Sequence, residues 1–150
     1  MCEFCHFENL SYKYNLNNKF DDFLQLTYIR SVELIIAERY KEQIFRCPVH
    51  LSIGQEAISV GVCKLLVSKD KVIAGHRAHA AYLAKGGSLT KFFLELLGNP
   101  KGCCGGKGGS MHIFDKSVNY FLSVPIVGSS LPIASGLAYA EKIKTLWYVL

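Results

Sequence analysis

The sequence predicts an α/β domain in which helices alternate with short strands. Helical periodicity over residues 20–40, short apolar runs set between glycine and proline punctuation, and further helices after each run carry that expectation. Half of the 150 residues are apolar and 19% are charged, the composition of a packed core and not of a disordered chain. Residues 1–18 are polar and irregular, so the domain is placed at 19–150.

The elements follow in order. Phe23, Leu26, Ile29, Val32, Leu34, Ile36 and Ala37 recur at helical spacing, with Asp21 and Asp22 at the favourable end of the helix dipole. That predicts one long amphipathic helix ending before Pro48. Pro48–Ile53 reads as a short extended segment. Ser52 and Gln55 have capping-box spacing and predict a helix from Gly54 to about Val67. Lys71–Ala74 reads as a buried strand after the turn residue Asp70. Helices over His79–Ala84 and Leu89–Leu97 are closed by Gly86 and Gly98. Residues 98–110 form a glycine-dense loop, and residues 130–143 read as a helix with Pro132 near its first turn. The β-rich run Thr145–Leu150 predicts a core strand, whose edges and apolar surface would be exposed without a partner.

Charge and cysteine content exclude several function classes. The net charge is +5, but the basic residues are scattered singly, so no stripe for nucleic acid forms. No apolar run approaches the roughly 20 residues that a membrane span needs. Of the six cysteines, Cys2 and Cys5 with His6 spell a c-type haem attachment pattern. The chain opens without the basic start and apolar stretch that export for such attachment needs, so free thiols are favoured. Cys47, Cys63, Cys103 and Cys104 lack ligand spacing, and no metal ligand is assigned in this chain. The expected location is cytoplasmic, because no Arg-rich transit segment opens the sequence.

The loop Gly102-Cys103-Cys104-Gly105-Gly106-Lys107-Gly108-Gly109-Ser110 could cradle phosphate through its backbone N–H groups, or could be a flexible surface loop. A Walker loop fails, since Lys101 stands where its first glycine belongs and Gly108 replaces the hydroxyl residue after the lysine. A dinucleotide fingerprint fails at Met111.

The string Gly106 to His112, Gly-Lys-Gly-Gly-Ser-Met-His, resembles the signature of the alpha subunits of thiamine-diphosphate-dependent 2-oxo acid dehydrogenases. This family includes the pyruvate, acetoin and branched-chain enzymes. Four more strings match in order: Arg30–Glu33 with Arg39-Tyr40, His50–Ala57, His76–His79, and Ile126–Gly128 leading through Pro132 to Gly136. The resemblance covers roughly residues 24–150, about the predicted domain, as the N-terminal part of a thiamine-diphosphate-binding fold.

The resemblance implies a cofactor, thiamine diphosphate, held between an alpha and a beta subunit, so that this chain does not build the complete site alone. It implies oxidative decarboxylation of a 2-oxo acid such as pyruvate, with acyl transfer to a lipoyl-bearing acyltransferase, in a heterotetramer. Arg77 matches the arginine on the cofactor diphosphate, and His76 beside it could donate to the same phosphate; this His-Arg pair is closest to the acetoin-type enzymes. His50 matches a histidine near the reacting carbon. Val127 matches a backbone N–H that meets the aminopyrimidine, with the carbonyl of Pro125 as second contact, although that position is usually glycine. His112 and Lys107 shape the site. The family's Gly-Asp-Gly motif for Mg²⁺ is expected just after Leu150, so the metal ligands are expected beyond this sequence. Two alternatives stand beside this reading: an inactive remnant that only docks on a beta subunit, and a small thiol- or metal-binding protein using Cys2, Cys5, His6 and the Cys103-Cys104 pair.

Overall fold

A computed structural model describes residues 19–147. Cys2, Cys5, His6 and the last part of the expected final strand, residues 148–150, lie outside the described residues.

Helix α1 spans Lys19–Arg39, with Asp21 and Asp22 in its first turn and Arg39 in its last. Ile29, Val32, Glu33 and Ile36 form its buried stripe at helical spacing. Phe23 and Leu34, also on the predicted apolar face, are exposed. The helix tightens into a 3-10 turn at Tyr40–Glu42, and Gln43 stops it in the left-handed region. Each fully buried large side chain on the stripe stabilises by about 1.5–3 kcal/mol, against about 0–1 kcal/mol for an exposed ion pair. Packing against helices α2 (Glu56–Cys63) and α3 (His79–Ala84) therefore seats α1. Ion pairs set its register: Arg30 holds Glu56, and Lys64 holds Asp22.

Helix α2 is shorter than the predicted Gly54–Val67, and the capping box does not form. Ser52 is drawn into tertiary contacts instead, its N–H donating to Glu33 and its hydroxyl to the Arg77 carbonyl. Glu56 takes over at the helix start by accepting from the Gly54 N–H. Tighter turns over residues 62–66 close the other end.

Strand β1 (Val72–Ala74) pairs in parallel with β2 (Tyr120–Ser123), in the register Val72↔Tyr120, Ile73↔Leu122 and Ala74↔Ser123. The predicted Lys71–Ala74 strand is thus present, one residue shorter. Strand β2 went unmarked in the sequence; left-handed Asn119 turns the chain into it. Helix α4 (Leu89–Leu96) is capped by Ser88, and α3 and α4 end before Gly86 and Gly98, both at positive φ. Tyr82 joins the core by edge contacts to Tyr120 and a tilted contact to Phe92. Its hydroxyl donates to Asp115 at 2.8 Å. The α/β class holds, with helices around a small parallel sheet.

The expected final strand is corrected over Thr145–Trp147. These residues continue helix α5, which runs Ser130–Trp147. Helix formers from Ala138 to Lys144 carry the helix on, and no glycine or proline interrupts it after Gly136. The β-branched and aromatic residues that suggested a strand express only a weak local preference.

The Arg30–Glu56 pair yields a pH prediction. The hydrogen bond from Arg30 holds the Glu56 carboxyl below the usual carboxylate range, against the opposing effect of burial. A depressed native value gives stability that is present above the unfolded carboxylate range and lost as pH falls through the native value. Urea midpoints measured from neutral pH downward should fall more steeply for the wild-type chain than for Glu56→Gln below about pH 5. Parallel curves would show that the pair adds nothing.

Candidate functional site

Strands β1 and β2 run side by side in the same direction, so their carboxyl ends open on one edge. Gly75, His76 and Arg77 leave the first, and Val124 to Val127 leave the second. The Val124 N–H still donates to the Ala74 carbonyl at 3.1 Å, holding the two exits together. In open α/β sheets ligands bind outside the carboxyl ends of the strands.

Arg77 is exposed on this edge and reaches back to donate to the Leu51 carbonyl. The Arg77 carbonyl accepts from Ser52, so the segment with His50 is fixed against it from both sides. The rings of His50 and His76 meet edge to face, with centroids 5.4 Å apart. Nδ1 of His50 is buried and has no hydrogen-bond partner among the described residues. Pro125 is half-buried, and a turn from Ile126 to Ser129 carries Val127, which is 79% exposed. His50, His76 and Arg77 are thereby brought together, with Pro125 and Val127 on the neighbouring strand exit. A cleft of about 250 Å³ runs from Arg77 along β1 and α2. That is below the roughly 300–1,000 Å³ of pockets that enclose a small-molecule ligand.

The glycine-dense loop is neither a phosphate cradle nor a free surface loop. Its backbone N–H groups close on a carboxylate from the chain itself. Glu95 of α4 is buried, and its Oε2 accepts from Cys104 at 2.7 Å and Gly106 at 2.9 Å. Its Oε1 accepts from Gly108 at 2.7 Å and Gly109 at 3.1 Å. Glycine is required where a Cβ on Gly106 would lie 2.6 Å from the Gly98 backbone, and one on Gly108 2.2 Å from the His112 carbonyl. Glu95, Cys103 and Cys104 bring potential ligand atoms within 4.8 Å of one another. Both Glu95 oxygens are already filled by N–H donors, so a cation there would have to displace them.

A second buried network was missed at the sequence level. Glu33, His79 and Ser110 are all buried. Nδ1 of His79 lies 3.2 Å from Glu33, and Nε2 lies 2.7 Å from the Ser110 hydroxyl. The tautomer with the proton on Nδ1 lets the ring donate to Glu33 and accept from the Ser110 hydroxyl at Nε2. Ser110 in turn accepts from the His50 N–H at 3.3 Å, and Glu33 accepts from Ser52. The glycine loop thus reaches the histidine segment through one hydroxyl. Both glutamates leave a trace in the sequence, because each is a charged residue on the apolar stripe of its helix.

These features define an α/β domain whose candidate site residues gather at the carboxyl edge of its parallel strands. Residues 24–147 match the family described as dehydrogenase E1 component. The chain is 39% identical over 122 residues to the pyruvate dehydrogenase E1 component subunit alpha-1, mitochondrial, of Oryza sativa subsp. japonica, covering 81% of this chain and 31% of that protein. It is 39% identical over 127 residues to the mitochondrial subunit alpha of Solanum tuberosum, covering 85% and 32%. To the chloroplastic subunit alpha-3 of Arabidopsis thaliana it is 40% identical over 115 residues, covering 77% and 27%. The chain belongs to the dehydrogenase E1 component family. It spans about a third of the length of the curated relatives it matches.

Glu95 offers a direct test of the loop. Glu95→Gln puts an amide NH₂ where one oxygen accepts two N–H groups, which leaves buried donors unpaired and should cost on the order of 3 kcal/mol. Urea denaturation should show that loss as a lowered midpoint with an unchanged slope. A midpoint matching wild type would mean that the loop holds itself.

Proposed function

We propose that this chain supplies the alpha-side half of a thiamine-diphosphate site in a 2-oxo acid dehydrogenase, with pyruvate as the favoured substrate class. The observation that carries the reading is the meeting of Arg77, His76 and His50 at the carboxyl end of β1, beside the strand exit that bears Pro125 and Val127. The pyruvate dehydrogenase relatives support the substrate class.

The residues present fit such a cofactor. Arg77 presents an exposed guanidinium whose planar fork suits diphosphate oxygens, and His76 adds a second donor beside it. The unpartnered, buried Nδ1 of His50 is a polar atom in need of a partner, as a ligand-facing group is. When bound, thiamine diphosphate supplies the electron sink on which a 2-oxo acid loses carbon dioxide. His50 gives or takes a proton at a ring nitrogen while Ser110 holds its backbone and the ring of His76 limits its tilt. The carbonyl of Pro125 and the N–H of Val127 orient the ring end of the cofactor. Arg77 and His76 would hold the diphosphate, and a Mg²⁺ ion would add charge neutralisation there through oxygen ligands that these residues do not supply.

The shallow cleft supports a site shared with a partner. Val127, Ile126, Leu131 and Tyr139 expose apolar side chains from the strand exit onto α5. Such a surface suits cover by a beta subunit, in a heterotetramer that hands the acyl group to a lipoyl-bearing acyltransferase.

In the protein assembled with its beta subunit, Arg77→Ala should weaken thiamine diphosphate binding more than roughly tenfold in calorimetry, with little change in melting temperature. Arg77→Lys should restore only part of it, since a point charge does not replace the fork. Wild-type affinity in both variants would remove Arg77 from the site.

A further inference from the structure

Cys103 and Cys104 sit where the glycine loop turns over Glu95, and neither has a part in the proposed cofactor site. Their sulfurs are 4.0 Å apart, and both residues are half-buried rather than sealed in the core. The Phe114 N–H donates to the Cys104 sulfur at 2.9 Å, and the same sulfur lies 3.2 Å and 3.3 Å from the His112 and Phe114 carbonyl oxygens. We propose that the Cys103-Cys104 pair is a thiol modification site, at which Cys104 attacks a low-molecular-weight disulfide and Cys103 resolves the adduct into a disulfide between the two neighbours.

The environment distinguishes Cys104 from the other described thiols. The contact with Cys103 and the hydrogen bond from the Phe114 amide lower the Cys104 thiol, outweighing its burial and the nearby carboxyls of Glu95 and Asp115. The same contact with Cys104, together with burial, raises Cys103. Burial also raises Cys47, and it pushes Cys63 up to about 11. The thiolate is the nucleophile, so attack falls to Cys104.

The chemistry balances. Cys104 thiolate forms a bond to one sulfur of the incoming disulfide, and the other sulfur leaves as a thiolate that takes up a proton. Cys103 then loses its proton and attacks the Cys104 sulfur, expelling the second small thiol. The protein dithiol is oxidised, and the incoming disulfide is reduced to two thiols. The new bond, about 2.05 Å long, requires the sulfurs to close by roughly 2 Å. It closes a small ring through the peptide that joins the two residues. The amide of that peptide is the Cys104 N–H on Glu95, so oxidation must disturb the hold on Glu95.

The test treats the full chain with oxidised glutathione at neutral pH, blocks remaining thiols and maps peptides by mass spectrometry. The expected product is a reducible Cys103–Cys104 disulfide, with Cys47 and Cys63 blocked as free thiols. Cys103→Ser should instead accumulate glutathione on Cys104. Cys104→Ser should react at least roughly fivefold more slowly, since it lacks the favoured thiolate. Amide hydrogen exchange at Gly106, Gly108 and Gly109 should quicken in the oxidised chain. Pairing of Cys103 with Cys47, a stable glutathione adduct on the wild-type chain, or equal rates in the two variants would overturn the proposal.

Discussion

The carboxylate of Glu95, held by four backbone N–H groups, is the constraint on which the rest of the arrangement depends. A buried carboxylate without donors would carry a large desolvation cost, and a glycine-dense loop without an anchor would carry a large entropy cost. Each supplies what the other lacks. The loop leaves this hold at Gly109 and delivers Ser110 to His79, and through Ser110 the His50 backbone is fixed. Ser52 and the Leu51 carbonyl then bind the same segment to Arg77. Candidate-site groups that are far apart in sequence thus share one chain of hydrogen bonds, which begins at an internal carboxylate.

This use of loop N–H groups resembles phosphate binding in its physics but not in its outcome. The same convergence of amides that attracts phosphate in other loops is here spent on a carboxylate from α4. Glycines are needed for close approach, as the Gly106 and Gly108 contacts require, and not for mobility. The composition of the loop alone could not separate these cases, because both demand the same residues. What separates them is the presence of Glu95 on the inner face of the preceding helix.

Much of the helix layout was legible, because its signals are local. Gly86 and Gly98 close α3 and α4 where positive φ is needed, and the stripe of α1 buries Ile29, Val32 and Ile36 as its spacing demands. The α2 cap failed because Ser52, though correctly spaced, found stronger tertiary partners in Glu33 and Arg77. The expected final strand is overturned over Thr145–Trp147, because the helix formers that precede them carry α5 through these residues. Strand β2 was missed since four residues, Tyr120–Ser123, hold too little periodicity to stand out. In the site, the motif strings located His50, His76 and Arg77. The internal network was visible only as Glu33 and Glu95 on otherwise apolar stripes, whose partners lie 46 residues away in one case and across a loop in the other.

Burial divides the site into two parts with different tasks. Glu33, His79, Ser110 and Glu95 are enclosed, and their hydrogen bonds are strong because water is excluded and each donor has one acceptor to serve. Arg77 and Val127 are exposed at the rim, where a guanidinium and a backbone amide keep their reach toward a ligand. Rigidity inside sets the position of groups at the edge to the tolerance that binding requires. A ligand that met only the rim would find one wall, since the cleft beside Arg77 is shallow and the face around Val127 is open. The apolar side chains of Ile126, Val127, Leu131 and Tyr139 lie exposed along the Val127 turn and α5, and covering them would be favourable.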